Sequence, residues 1–448
     1  MNERIIIMSA EENKNIGGVN VRIIHKEISY LRENGELHSR VFNLYIPEDS
    51  AAPMPCVFYV HYVLSENSLD FSDYLHRGWA IATPEVYQNL NLEWMDDDLF
   101  FNNAVLCELR KQSEIAQEKI LLTGFSAGGY MTMILSILHV GICGCVSMSG
   151  VTNNYFMALG YHKSGQEINE QAYAKLPEEI RANDDCLKEH IPAWRIFTAT
   201  RNLALFHPKN TIEKYIERSP VTNWQCLCNP FVFSHFTSDN IVPIDMLTSK
   251  YTYDQLGKSM PKEVKAQLKD FDLPEPVSLA LDERLPKSEV YYSFRPALDV
   301  QSNETIFLRF DPKKKYNINV FDEGPVENAG GHFKNPKIGR QHFIEFAEFC
   351  FSQTSAKTSW INAGKILLLA KVYQGKSKLL PVFDSDRKNV YGTLEMTRKC
   401  IIDELRRYSG LHNDLDRVFD EAITLDTEYR GIIQEMRNLV HESVSSEL

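Results

Sequence analysis

Hydrophobic positions fall first into short strand-length runs and then, past residue 352, into helical stripes. Residues 3–8, 20–31 and 37–46 carry strand patterns, with Glu33-Asn34-Gly35-Glu36 as the hairpin turn between the second and third. Pro53-Met54-Pro55 leads into the unbroken apolar run Cys56-Val57-Phe58-Tyr59-Val60, the pattern of a strand buried on both faces. Next come a short helix over 73–78, a buried strand over 79–83 stopped by Pro84, and a helix over 99–117. Ile120, Leu121 and Leu122 start another buried strand, followed by a helix over 127–140 and a strand over 142–148. From Ile120 to His162 there is no Asp, Glu, Lys or Arg, yet glycines at 124, 128, 129, 141, 144 and 150 cut this stretch into pieces too short for a membrane span. Strands alternating with helices predict an α/β fold on a doubly wound, mainly parallel sheet.

Residues 151–225 are mostly helical and polar in pattern, with Trp194, Phe197, Leu205 and Phe206 scattered among them, and suit a helical lid inserted between sheet strands. Pro230-Phe231-Val232-Phe233-Ser234 reads as the next strand, followed by a loop over 235–243 and a helix over 244–256. Residues 258–314 are rich in Pro and charge without a clear period and read as a second insertion, with Lys313-Lys314-Lys315 a solvated turn. The last strand is expected at 317–321 and a closing amphipathic helix at 338–351. After a small, polar linker at 352–359, Tyr429, Ile432, Ile433, Met436, Leu439 and Val440 form one helical stripe. Leu411, Leu415, Val418, Ala422 and Leu425 form another, and 393–408 a further helix. The expected division is a catalytic domain over 1–352 and a small all-helical C-terminal domain of three or four helices over 353–448.

Composition narrows the classes. A chain of 448 residues with 44% hydrophobic and 24% charged content has ample core for a large sheet. Its net charge of −12 argues against a nucleic-acid partner, which calls for a basic face. Nine cysteines without a C-x-x-C pair read as buried free thiols of a reducing compartment. The apolar run in the first eight residues is too short for a signal peptide, so a soluble, cytoplasmic protein is expected.

Candidate chemistry centres on Gly124-Phe125-Ser126-Ala127-Gly128. A strand runs into it and a helix follows, the setting of a G-x-S-x-G nucleophile elbow. A serine hydroxyl needs a base, and the base an orienting acid, expected in chain order Ser, Asp or Glu, His on loops after strands. Asp239 follows the strand ending at Ser234, and His332 follows the last strand behind Gly330-Gly331. Asp245, Asp322 and Glu323 are rival acids and His235 the rival histidine. Asp239 also fits a turn residue capping the next helix, and His332 a surface loop residue.

These landmarks resemble those of an α/β-hydrolase, in particular the catalytic domain of the prolyl oligopeptidase-like family. The similar residues are Gly124 to Thr132, Ser219-Pro220-Val221-Thr222-Asn223, Asp239 with Val242-Pro243, and Gly330-Gly331-His332, within a likeness over 36–352. The family's β-propeller has no counterpart here. Where many esterases carry a Gly-rich loop after the third strand, this chain has His61-Tyr62-Val63. The resemblance implies a Ser126–Asp239–His332 triad and an oxyanion hole from the Ala127 N–H and Tyr62, through hydroxyl or backbone. Tyr62 also fits an aromatic packed under the lid. The expectation is a serine hydrolase cleaving a small or medium acyl ester, without metal or organic cofactor. A peptidase, an acyltransferase or a non-catalytic scaffold are the alternatives, and the C-terminal helices are expected to serve oligomerisation or a protein partner.

Overall fold

The computed structural model describes residues 9–85, 94–152, 154, 174, 176–182, 214, 217–220, 223, 226, 229–236, 242, 304–311, 314–322, 339–352, 361–377, 394–409 and 414–442. The expected strand at 3–8, the helix at 244–256, the linker beyond 352 and most of the lid and second insertion lie outside these residues.

Among the described residues, ten strands form one sheet: β1 (Ser9–Ile16), β2 (Val19–Leu31), β3 (Leu37–Pro47), β4 (Met54–Tyr59), β5 (Ala80–Pro84), β6 (Ile115–Phe125), β7 (Ile142–Met148), β8 (Phe231–Phe236), β9 (Glu304–Asp311) and β10 (Lys314–Asp322). Their spatial order is β1-β2-β3-β5-β4-β6-β7-β8-β9-β10. The five central strands β5, β4, β6, β7 and β8 pair in parallel, and both margins are antiparallel, so the sheet is mixed around a parallel centre. The sheet thus has an antiparallel lead-in, then the exchanged order β5-β4 followed by β6 and its helix.

Strands at the centre are buried on both faces, and side-chain alternation sorts them. Cys56, Phe58, Ile120 and Leu122 enter one hydrophobic cluster; Val57 and Leu121 enter the other. On the second face pack α1 (Leu69–His76) and α4 (Gly339–Ser352), whose Phe343, Phe346, Ala347 and Cys350 turn inward. On the first lie α2 (Asp97–Leu109) and α3 (Ala127–Leu138). All seven described cysteines are buried and outside any disulfide.

Several elements depart from the sequence expectation. The polar strand β1 pairs with β2 through Gly17-Gly18, whose φ values of 58° and 90° make the tight hairpin that fixes the register. As an edge strand with exposed side chains, β1 has no apolar signature. Helix α2 stops at Leu109, and 115–117 belong to β6 because Met54 pairs with Ile115. β9 lies within the expected insertion, and Lys314 and Lys315 begin β10 instead of forming a turn. Helix α1 starts at Leu69, earlier than expected, because the Ser68 hydroxyl accepts the Phe71 N–H at 3.2 Å as its N-cap.

Every residue of α2 and α3 is buried, which an ordinary surface helix never achieves. The cover is α5 (Ala363–Tyr373), α6 (Leu394–Ser409), α7 (Leu415–Leu425) and α8 (Arg430–Glu442), whose inward side chains join the cluster that contains α3. Ile433, Met436 and Val440 are buried as their spacing implies, whereas Leu425 ends its stripe 57% exposed. The Lys365 ammonium from α5 donates to the Ser136 and His139 carbonyls at 2.7 and 2.5 Å, satisfying the C-terminal end of α3. Beside it, Arg110 pairs with Glu404. Among the described residues, no helix is long and apolar enough to cross a membrane.

Candidate active site

Three residues other than glycine hold a positive φ among the described residues: His61 at 72°, Ser126 at 55° and Ser149 at 48°. Each lies just past the C-terminal end of a central strand, after β4, β6 and β7 respectively, and these three strands are neighbours. Backbone strain of this kind costs about 1–3 kcal/mol per residue and persists only where the surroundings over-determine it. Its concentration along one edge makes that edge the candidate site.

Ser126 carries the sharpest turn, with φ 55° and ψ −117°. Its N–H donates to the Met148 carbonyl at 2.8 Å, and its carbonyl accepts the Tyr130 N–H at 3.0 Å. The turn is thereby tied to β7 on one side and to α3 on the other. The hydroxyl makes no capping bond to the helix it precedes. A Cβ on Gly124 would lie 2.5 Å from the Gly128 carbonyl oxygen, and one on Gly128 2.7 Å from that of Val60. Both approaches exclude any side chain, which is the reason for the two glycines of the motif. Ala127 is the first residue of α3, so its N–H has no acceptor within the helix and lies at the positive end of the helix dipole.

Tyr62 stands beside this helix start. Its Cδ2 lies 3.7 Å from where a Gly128 Cβ would be, and its ring meets the His61 imidazole edge-on at 4.2 Å. The Tyr62 N–H is engaged by the Val60 carbonyl at 2.9 Å. The His61 N–H donates to the Asn102 Oδ1 at 3.0 Å.

Behind this turn lies a buried polar chain that the sequence reading missed. The His61 Nδ1 meets the Asp98 carboxylate, whose other oxygen accepts from the Arg40 Nη1 at 2.9 Å. Arg40 sits over the Phe101 ring at 3.8 Å. Burial by itself raises the Asp98 pKa, but the His61 ring and the Arg40 guanidinium outweigh it and hold the carboxyl below its ordinary value. The Tyr30 hydroxyl donates to Asp97 at 3.1 Å, and the His38 Nδ1 lies 2.9 Å from the same carboxylate. The acidic run Asp96-Asp97-Asp98 at the start of a helix was the available signal: carboxylates there are favoured by the dipole.

Asp239 and His332 lie outside the described residues, as do the rivals Asp245 and Glu323. The strands that lead to them are described. Phe236 at the end of β8 and Phe321 near the end of β10 are both in register with Thr305 of β9. Since β9 is antiparallel to both, β8 and β10 leave the sheet at the same edge as Ser126. His235 belongs to β8, and Asp322 closes β10. Among the described residues, no group of three or more His, Cys, Asp or Glu could hold a metal ion.

No protein-family model matches the chain, and no curated protein matches it either. Solved structures of esterases and peptidases do. A glucuronoyl esterase from Teredinibacter turnerae is 15% identical over 32% of this chain and 46% of its own, with a TM-score of 0.26. The rice cell wall degrading esterase LipA from Xanthomonas oryzae is 12% identical over 63% of this chain and 99% of its own, with a TM-score of 0.38. An acylaminoacyl peptidase from Pyrococcus horikoshii is 15% identical over 53% of this chain and 41% of its own, with a TM-score of 0.34. The chain thus spans less than half the length of the first and the third.

Proposed function

We propose that the protein is a serine hydrolase that cleaves a carboxylic ester through an acyl-enzyme. The observation that carries this reading is the backbone of Ser126, held at φ 55° and ψ −117° between a parallel strand and a helix start, with no capping bond from its hydroxyl to that helix. In this mechanism the Ser126 Oγ attacks the ester carbonyl while His332 takes its proton. The tetrahedral oxyanion is met by the Ala127 N–H and, because the Tyr62 N–H is already engaged by Val60, by the Tyr62 phenol. His332 then protonates the departing alcohol, and a water activated by the same imidazole hydrolyses the acyl-enzyme. Asp239 holds the imidazole.

Chain length supports this assignment. From Asp322 to His332 is ten residues, about 33 Å when extended, against four strand spacings or about 19 Å from β10 to β6. Asp239 is three residues past Phe236, an extended reach of about 10 Å, and two spacings of about 10 Å separate β8 from β6. A peptidase or an acyltransferase would use the same residues with a different acyl donor or acceptor.

The test is covalent labelling by a fluorophosphonate with purified protein, followed by a substrate panel. Wild type is expected to label, and Ser126→Ala and His332→Ala to lose about 10⁴–10⁶-fold in turnover. Short-chain aryl esters should turn over faster than proline-containing peptide amides, and adding an alcohol acceptor should not divert the acyl group. Folded wild type that takes up no label would instead support a scaffold. Amide cleavage exceeding ester cleavage would make it a peptidase.

A further inference from the structure

His61 sits at the centre of a three-residue turn in which the Tyr62 N–H donates to the Val60 carbonyl at 2.9 Å and the central φ is 72°. This is the γ-turn of positive φ, the rare and strained hand. Glycine would hold it without strain, so the retention of an imidazole calls for a reason in the side chain. That side chain is held from behind. Its Nδ1 meets the fully buried Asp98, Asp98 is held in turn by Arg40 at 2.9 Å, and Asn102 takes the His61 N–H at 3.0 Å while donating to the Asp98 carbonyl at 2.7 Å. Asp98 and Asn102 are one helical turn apart on α2, so a single rigid face fixes both the backbone and the ring of His61. The turn in its turn packs on Gly128, where a Cβ would lie only 2.7 Å from the Val60 oxygen. The N–H groups of His61 and Tyr62 are both engaged, so neither amide of this turn is left for an oxyanion.

We infer that His61 is the positioning residue of the oxyanion hole. Its Nδ1–H, locked on Asp98, keeps the γ-turn in the strained hand that places the Tyr62 hydroxyl opposite the Ala127 N–H. The imidazole itself touches no reacting atom. This rests on the serine-hydrolase reading, and it makes the four residues Arg40, Asp98, Asn102 and His61 a single support for one donor.

The experiment measures the rate constant for fluorophosphonate labelling and kcat and KM on an aryl ester, with thermal unfolding of every variant. Tyr62→Phe and His61→Gly are each expected to slow labelling and kcat by about 10²-fold, with KM changed less than threefold. Because one acts through the other, the double variant should be no slower than Tyr62→Phe alone. His61→Asn tolerates a positive φ, and its amide can donate to Asp98 as Nδ1 does, so it should recover to within a few-fold of wild type. If the glycine variant does not fold, Asn102→Ala takes its place in the cycle with the same expectation. Wild-type rates in His61→Gly, losses that multiply in the double variant, or a His61→Asn as slow as His61→Gly would each overturn the inference while leaving the hydrolase reading intact. Wild type that fails to label would remove that reading instead.

Discussion

Gly128 shows at the residue scale how little freedom the site has. An added methyl would sit 2.7 Å from a backbone oxygen that belongs to a central strand end and has nowhere to retreat. Gly128→Ala is therefore expected to cost about 1–3 kcal/mol of stability, read from urea unfolding. Labelling of Ser126 should slow at the same time, because the displaced group is the turn that carries His61 and Tyr62. The strained turn at Ser126 and the helix start at Ala127 were legible from the pentapeptide and its setting. The His61–Asp98–Arg40 chain was not. Those residues are 37 and 58 positions apart in sequence, counted from Asp98, and nothing in local spacing relates them; antiparallel β3 and helix α2 bring them together.

The informative element is α3. Its sequence carries no amphipathic stripe, and the reason is that it is enclosed by the sheet on one side and by α5 to α8 on the other. Polar groups at its C-terminal end meet the covering helices. The His139 Nε2 contacts the Asn103 Oδ1, and its other nitrogen lies 3.4 Å from Arg110 and 3.8 Å from Glu404. Burial first, and then the charges of Arg110, Lys365 and Arg407, push the His139 pKa well below its ordinary value, so the folded protein holds this ring neutral. The unfolded chain takes up a proton near pH 6.5, whereas the folded state does not. Stability is thus whole above that pH and falls as the solution is acidified toward the folded pKa, by at most about 1.4 kcal/mol per pH unit. Thermal midpoints measured from pH 8 to pH 5 should drop along this limb, and His139→Gln should flatten it.

Across the whole molecule, the helices past residue 361 are part of the enclosure of α2 and α3 as well as the expected seat of a partner. Lys365 and Glu404 reach α2 and α3 directly, and Ile366, Leu369, Ile401, Leu405, Phe419 and Met436 share their cluster. A chain ending at Ser352 would expose the apolar flanks of α2 and α3. It is expected to unfold without a cooperative transition or to precipitate, as judged by calorimetry and light scattering against the full chain. A truncated protein that stays monomeric, cooperative and equally active would mean the four helices are dispensable to the fold.

Wherever the driving pattern is local, the chain could be read directly. Apolar runs marked the central strands, glycines and a serine marked the elbow between β6 and α3, and helical periods marked α6 and α8, because burial on fixed faces imposes fixed spacings. Tertiary structure alone decided the rest. Pairing with β2 made a strand of the polar segment at Ser9–Ile16, and pairing with Met54 ended α2 early and began β6 at Ile115. Packing of α2 against the strand ends set a histidine into a backbone shape that its own sequence disfavours. Hydrogen-bond ladders and buried charge pairs act between residues distant along the chain, so their outcome exists only once the sheet has closed.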